Sequence, residues 1–192
     1  SVMVEKLKDV SPEKDRKNPL FGYSVTDKGG LSNDLETEVT NAIVSDFAVN
    51  GVFKEVSRRI EDPDYILKGE IKKFMGKTRW TKSAIIGMTS SFIGEALALT
   101  TGIDLFLLGA VPALSWCFGV PVYVNEVEIE ITLSLLDKSG NLINTYNGKY
   151  KDKDKTSMYR NNILAVPSQT NKGFSDAIRQ IREQMINDLS KK

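Results

Sequence analysis

The sequence predicts an α+β fold, in which an antiparallel-rich sheet carries two amphipathic helices packed on it and an inserted apolar helical hairpin. Apolar and polar residues alternate over residues 65–71 and 127–135, which is typical of half-buried strands. Apolar residues recur at helical spacing near both ends of the chain. Between these patterns, residues 84–120 contain almost no charge, and we assign the hairpin insert to them.

The composition predicts one folded domain covering residues 1–192. A hydrophobic content of 41% with 27% charged residues is ordinary for a globular protein. Lys and Arg number 26 against 25 Asp and Glu, so the basic excess expected of a nucleic-acid-binding protein is missing. There is no histidine and a single cysteine, Cys117. We therefore expect no catalytic residues, no metal, no cofactor and no intrachain disulfide.

The first elements are a strand at residues 2–7, a polar loop at 9–18 and a helix. Ser32 or Asn33 is a plausible N-cap for this helix, because acidic residues follow in its first turn. Asn50-Gly51 is a typical helix end. The apolar face of the helix is predicted to consist of Leu35, Val39, Ile43 and Phe47.

Strands are predicted at residues 52–56 and 65–72 before the insert, and at 126–135 and 142–150 after it. The residues 137–141, which include Gly140, are typical of a hairpin connection between the last two strands. A final amphipathic helix over 174–189 places these apolar residues on one face: Phe174, Ile178, Ile181, Met185 and Leu189.

The apolar insert is interpreted as two short helices, 84–99 and 103–118, joined near residues 100–102. A membrane-spanning helix is disfavoured, because Glu95 and Asp104 leave no uncharged window of about 20 residues within 84–120. Two alternatives remain open, a buried hairpin that covers the open face of the sheet and an exposed surface for oligomer, lipid or ligand contact. The candidate membrane or partner contacts are Trp80, Ile93, Glu95, Leu97, Leu105, Phe106, Leu108, Trp116 and Phe118.

Other apparent motifs have simpler explanations. Gly76-Lys77-Thr78 lacks the upstream glycine of a phosphate-binding loop, and Asp9, Asp15 and Arg16 belong to a solvated charge run. Cys117 lies in an apolar run and is expected to be a core residue. The basic segment 149–160 is compatible with attraction to anionic lipid or with protection of an edge strand by lysines.

Several short segments resemble bacterial cell-envelope lipoproteins. Lys8-Asp9, Arg16-Lys17-Asn18 and Gly22-Tyr23 follow the first strand, and residues 64–71 resemble the "adYvLkGeI" strand of these proteins. Transporter-auxiliary lipoproteins, uncharacterised lipoproteins and the curli-export pore lipoproteins share this likeness. The resemblance implies a small α/β domain that an N-terminal lipidated cysteine tethers to a membrane, with no shared catalytic residues.

We therefore expect a non-enzymatic lipoprotein on the periplasmic side of the bacterial cell envelope. Its role would be that of an assembly or transport accessory, with the apolar hairpin contacting a membrane, an envelope protein or a second copy. The alternative is a carrier that holds an apolar ligand or lipid between hairpin and sheet. Because the chain starts at Ser1, we expect a removed leader with a lipid anchor, although a cloning junction would look the same.

Overall fold

The computed structural model describes residues 1–13, 17–25, 34–101, 114–157 and 165–190. The strands are β1 (Val2–Val4), β2 (Lys8–Asp9), β3 (Gly22–Ser24), β4 (Val56–Ser57), β5 (Tyr65–Trp80), β6 (Pro121–Asp137) and β7 (Leu142–Ser157). The α-helices in these ranges are α1 (Leu35–Val49), α2 (Lys82–Thr101) and α3 (Ala165–Leu189), and a short 3-10 helix covers Ser115–Phe118.

A long antiparallel meander of β5, β6 and β7 forms the centre of a seven-stranded sheet. Three short strands pair in succession with the other edge of β5: β1 with its start, β2 near its middle and β3 with its end. The strand β4 pairs with β1. The sheet is mostly antiparallel, as the sequence predicted, but the pairings β1–β5, β2–β5 and β1–β4 are parallel.

The helices α1 and α3 pack on the same face of the sheet and enclose the core. Phe47 of α1 and Met185 of α3 are both 0% exposed, and they belong to one cluster with the inward side chains of β6. This arrangement confirms the two amphipathic helices and the apolar face predicted for β6. An ion pair also joins the helices, with Arg182 Nη1 2.7 Å from Asp46 Oδ1.

Several boundaries differ from the sequence prediction. The first strand ends at Val4, and the segment 52–56 yields only the short strand Val56–Ser57. The N-cap of α1 is Asp34, whose side chain accepts a hydrogen bond from the Glu36 backbone N–H, whereas Ser32 and Asn33 lie outside the described residues. Asp34 caps the helix because its carboxylate accepts a hydrogen bond from a backbone N–H of the first turn, which is the contact that defines an N-cap side chain.

The last helix begins at Ala165 rather than at residue 174. Pro167 lies in its first turn, where a missing N–H leaves no hydrogen bond unmade. Gly173 is a poor helix former, but Tyr150 packs against it so closely that a Cβ there would lie 2.4 Å from the ring. Packing against the sheet therefore extends the helix through residues whose intrinsic propensity disfavours it.

Replacing Tyr146 by phenylalanine is expected to lower the free energy of unfolding by about 1–2 kcal/mol. Tyr146 is 2% exposed, and its hydroxyl donates a hydrogen bond to Asp188 Oδ2 at 2.8 Å. Burial and Asp188 raise the pKa of Tyr146 from 10.0 to about 12. Because the folded-state pKa lies above the unfolded value, this stabilisation is complete below pH 10 and is lost as the pH rises through about 12.

Urea unfolding of both proteins between pH 8 and pH 11 would measure the effect. The difference between wild type and Tyr146→Phe should be constant near pH 8 and should shrink at the alkaline end. A difference that grows with pH would contradict the assigned protonation state.

Candidate functional site

The face of the sheet opposite the helices carries an ordered array of charges, which we call the charge ladder. Its middle row consists of Glu126, Glu128 and Glu130 on β6. Residues of β5 and β7 flank this row, and all of them except Met75 are basic. The cross-strand rows read Lys77–Glu126–Lys153, Met75–Glu128–Lys151 and Lys73–Glu130–Lys149.

Ion pairs connect the three strands of the ladder. Lys153 Nζ lies 3.0 Å from Glu126 Oε1, and Lys149 Nζ lies 2.9 Å from Glu130 Oε1. Lys73 Nζ lies 3.0 Å from Glu128 Oε1. Partial burial acts to raise the pKa of Glu128, but Lys73 and Lys151 outweigh it and hold that pKa below its ordinary value. The contribution of Glu128 to stability is thus present at neutral pH and is lost in acid, as the pH falls through this lowered pKa.

The ladder loses its carboxylates at the end of the sheet next to the insert. The last row reads Arg79–Val124–Lys155, so that an apolar residue replaces the central glutamate. Arg79 reaches back to Glu126 at 3.1 Å, whereas the described residues include no ion-pair partner for Lys155. Positive charge is therefore in excess at this end.

The helix α3 protects part of the outer edge of β7. The side-chain amide of Gln180 binds both backbone groups of Lys149, accepting from its N–H at 3.1 Å and donating to its carbonyl at 3.0 Å. Gln184 makes the same pair of contacts with Asn147. The two glutamines replace the hydrogen bonds of a missing strand. The lysines of segment 149–157 belong to the charge ladder and also lie on this edge strand, and residues 158–160 of the basic segment lie outside the described residues.

The helix α2 starts directly after β5, and the described contacts anchor its beginning. The hydroxyl of Thr81 donates to the Pro121 carbonyl at 2.8 Å and accepts from the Ala84 N–H at 3.1 Å. Ala84 and Gly87 are buried, whereas beyond Ser91 most of the described side chains are exposed. Exposure reaches 64% for Phe92 and 60% for Ile93.

Six of the nine predicted contact residues lie in the described ranges, and four of these six are exposed. Ile93 is 60% exposed, Leu97 is 45% exposed, and Glu95 is exposed on the same helix. Phe118, in the 3-10 helix, is 87% exposed. These four side chains are therefore largely accessible to solvent.

The two tryptophans are partly buried. Trp80 packs between Phe21 and Tyr123, with ring centroids 6.1 Å apart in both cases. Trp116 has a buried Nε1 atom that makes no hydrogen bond. Leu105, Phe106 and Leu108 lie outside the described residues.

The predicted hairpin is not confirmed, although the helix Lys82–Thr101 covers the residues of its first predicted helix. Of its second predicted helix, 103–118, the residues before Leu114 lie outside the described part of the chain, and Ser115–Phe118 form a 3-10 helix. The prediction that Cys117 is a core residue is wrong, because Cys117 is exposed. Its apolar sequence neighbours Leu114 and Phe118 are themselves 51% and 87% exposed, so the run does not mark a core.

Within the described ranges, the open face is not covered at Lys149 and Lys151, which are 65% and 73% exposed. Across the described ranges, no helix is both long and apolar enough to cross a membrane. No group of His, Cys, Asp and Glu suited to a metal ion occurs in the same ranges.

Two clefts are relevant to binding. The end cleft, of ≈ 820 Å³, lies where β5 leads into α2. Its lining includes the aromatic pair Phe21 and Trp80 together with four cations, Arg79, Lys82, Lys153 and Lys155. The helix cleft, of ≈ 520 Å³, lies between α1, α3 and β5, and its lining is mainly apolar, with Leu35, Val39, Phe74 and Phe174.

No family model matches the chain, and no curated protein matches it. Among solved structures it is similar to a DUF330 protein from Xanthomonas campestris, with 11% identity, a TM-score of 0.48 and coverage of 96% of this chain and 80% of the other. It is similar to a "putative lipoprotein" from Caulobacter crescentus, with 12% identity, a TM-score of 0.41 and coverage of 97% and 92%. A PelC dodecamer from Paraburkholderia phytofirmans has 10% identity and a TM-score of 0.40, with coverage of 94% and 84%.

One of these neighbours thus bears the same coarse description, lipoprotein, as the sequence resemblance. The likeness to transporter-auxiliary and curli-export lipoproteins remains a prediction, and so does homo-oligomerisation of this chain.

Proposed function

We propose that this chain is a non-catalytic accessory lipoprotein of the bacterial cell envelope and that it binds a membrane surface through α2 and the 3-10 helix. The observation that supports this proposal best is the clustering of exposed apolar side chains. Seven of the thirteen large hydrophobic residues exposed in the described ranges lie in or beside the insert: Ile86, Phe92, Ile93, Leu97, Leu99, Leu114 and Phe118. An exposed group of this kind is rare on a soluble surface unless it contacts something.

A bilayer is the partner that fits best, because the exposed apolar residues adjoin a surface with excess positive charge. Lys82 begins α2, and both Lys82 and Lys155 line the end cleft. A surface that combines apolar side chains with flanking cations suits the boundary between lipid tails and headgroups. Trp80 and Tyr123, at the base of α2, are residue types enriched at that boundary.

The non-catalytic part of the proposal has separate support. The chain contains no histidine, and three prominent carboxylates of the open face, Glu126, Glu128 and Glu130, are engaged by basic residues. A carboxylate held in ion pairs is stabilised in its charged form and is a poor general acid. The envelope location and the lipid anchor are supported by the resemblance of residues 64–71 to envelope lipoproteins.

Replacing Phe92, Ile93 and Leu97 together by glutamine is expected to weaken binding to phospholipid vesicles about 100-fold. Their exposures of 64%, 60% and 45% leave about 1 kcal/mol of burial per side chain to be gained in lipid, or about 3 kcal/mol in total. Glutamine is a good helix former, so α2 should persist. Vesicle flotation over a range of lipid concentrations would measure the partition coefficient.

A matched control replaces Val49, Leu142 and Ile186 by glutamine. These residues are 81%, 62% and 44% exposed, but they lie away from the insert, on α1, β7 and α3. The control should float like the wild type. Equal losses in the two triple variants, or no flotation of the wild type, would contradict membrane binding through α2.

The helix cleft favours a second candidate function, transport of an apolar ligand. It lies between α1 and α3, rather than between insert and sheet as the sequence suggested, and Phe74 and Phe174 meet in its lining at a centroid distance of 5.8 Å. A carrier should bind a fluorescent fatty acid one to one in the absence of vesicles. Such binding by a protein that does not float would favour this candidate over the first.

A further inference from the structure

The end cleft combines four cations with an apolar floor. Arg79 comes from β5, Lys82 from α2, and Lys153 and Lys155 from β7, so that three separate elements direct basic residues towards one cavity of ≈ 820 Å³. Phe21 and Trp80 line it together with Ile85 and Val124. No carboxylate is found in its lining among the described residues.

The cations of the cleft are only partly neutralised. Glu126 pairs with Arg79 at 3.1 Å and with Lys153 at 3.0 Å, so that one carboxylate serves both. Within the described ranges, neither Lys82 nor Lys155 has an ion-pair partner. The position that would supply a second carboxylate is Val124, directly between Arg79 and Lys155 across the sheet. A negatively charged ligand would therefore complete the pattern of the ladder.

The apolar part of the lining restricts the kind of anion. Phe21 and Trp80 pack with ring centroids 6.1 Å apart, and the cavity opens beside α2, whose residues Phe92 and Ile93 are exposed. A small inorganic ion would leave this aromatic surface without a partner. A ligand that joins a phosphate to an apolar chain would engage both parts of the cleft.

We infer that the end cleft binds the headgroup of an anionic phospholipid, with the phosphate held by Lys82 and Lys155 beside Arg79 and the first part of the acyl chains against Phe21 and Trp80. This inference rests on the proposed function, because a bilayer that receives α2 would present headgroups at the level of the cleft. It adds a preference for anionic over neutral lipid, which apolar contact alone would not give.

The test replaces Lys82 and Lys155 by glutamine, since neither substitution removes an ion pair found in the described residues. Each cation near an anionic lipid surface contributes about fivefold to binding. The double variant should therefore bind phosphatidylglycerol vesicles about 20-fold more weakly. Its binding to neutral phosphatidylcholine vesicles should equal that of the wild type.

The control replaces Lys149 and Lys151 by glutamine, which removes the same charge from the same face. Lys149 lies about 20 Å from Lys155 along the strand, at about 3.3 Å per residue. Lys151 lies about 13 Å from Lys155 on the same basis. Both control positions are thus more than one Debye length away at 0.1 M salt, and the control should lose less than about threefold. Equal losses in the two double variants would overturn the inference and would indicate a general charge effect.

A second experiment uses no vesicles, and its result can fail or succeed independently of the proposed membrane binding. Calorimetry would titrate the wild-type chain with short-chain phosphatidylglycerol below its micelle concentration, then with inorganic phosphate and with short-chain phosphatidylcholine. Saturable binding of short-chain phosphatidylglycerol, but not of the other two ligands, supports the headgroup site even if the chain does not float. This binding should be lost in Lys82→Gln/Lys155→Gln. Equal binding of inorganic phosphate, or no binding of the short-chain phosphatidylglycerol, overturns it even if the chain does float.

Discussion

Replacing Gly148 by alanine should lower the free energy of unfolding by about 3 kcal/mol. Gly148 lies in β7 beneath α3, where an added Cβ would lie 2.2 Å from the Ala177 carbonyl oxygen and 2.8 Å from its carbon. Both are backbone atoms, so that no side-chain rotation can relieve the clash. The helix itself would have to move, and its paired contacts through Gln180 with Lys149 would lengthen.

Gly173→Ala is the matched control for this substitution, because the obstacle there is a side chain. Its added Cβ would approach the half-buried ring of Tyr150 at 2.4 Å, and the ring can turn aside. Alanine also favours a helix over glycine by about 1 kcal/mol, which offsets part of the cost. In urea unfolding, the free energy of unfolding of Gly148→Ala should be well below that of Gly173→Ala. Equal stabilities would mean that α3 does not approach β7 as closely as described.

The elements that the sequence predicted well are those whose signal is local. Strand β6 alternates strictly from Val127 to Leu135, and α1 presents Leu35, Val39, Ile43 and Phe47 at helical spacing, so that periodicity alone assigns their buried faces. The pairing of β1, β2 and β3 with β5 was not foreseen. A strand of two or three residues is too short to show an alternation of apolar and polar residues. Its pairing depends on the open edge of the long strand β5.

One part of the candidate site was recognisable from the sequence and another part was not. The apolar insert was recognised from composition, and Ile93, Leu97 and Phe118 are exposed, while their role in a contact surface remains a prediction. The end cleft was not recognised, because Phe21, Lys82 and Lys155 are far apart in sequence. The cross-strand register of β5, β6 and β7 brings Arg79 and Lys155 together, and no local pattern reveals that Val124 stands where a glutamate would continue the ladder.

Phe47 and Phe92 are phenylalanines on two helices, and their replacement by alanine should have very different consequences. Phe47 is 0% exposed in the shared core of α1, α3 and the sheet, so that Phe47→Ala is expected to cost about 4 kcal/mol of the free energy of unfolding. Phe92 is 64% exposed on α2, and Phe92→Ala should change stability by less than about 0.5 kcal/mol. Urea unfolding of the two variants would measure both.

The stability of Phe92→Ala distinguishes an exposed, contact-forming α2 from an α2 that is part of the core. If Phe92 contributes little to folding, its exposure has no structural explanation, and a contact outside the chain becomes the reason for an aromatic residue there. A loss of 2 kcal/mol or more in Phe92→Ala would instead mean that α2 folds back into the protein, as the buried-hairpin interpretation holds. A small loss combined with weaker flotation would locate binding in α2 and stability in the layer formed by α1, α3 and the sheet.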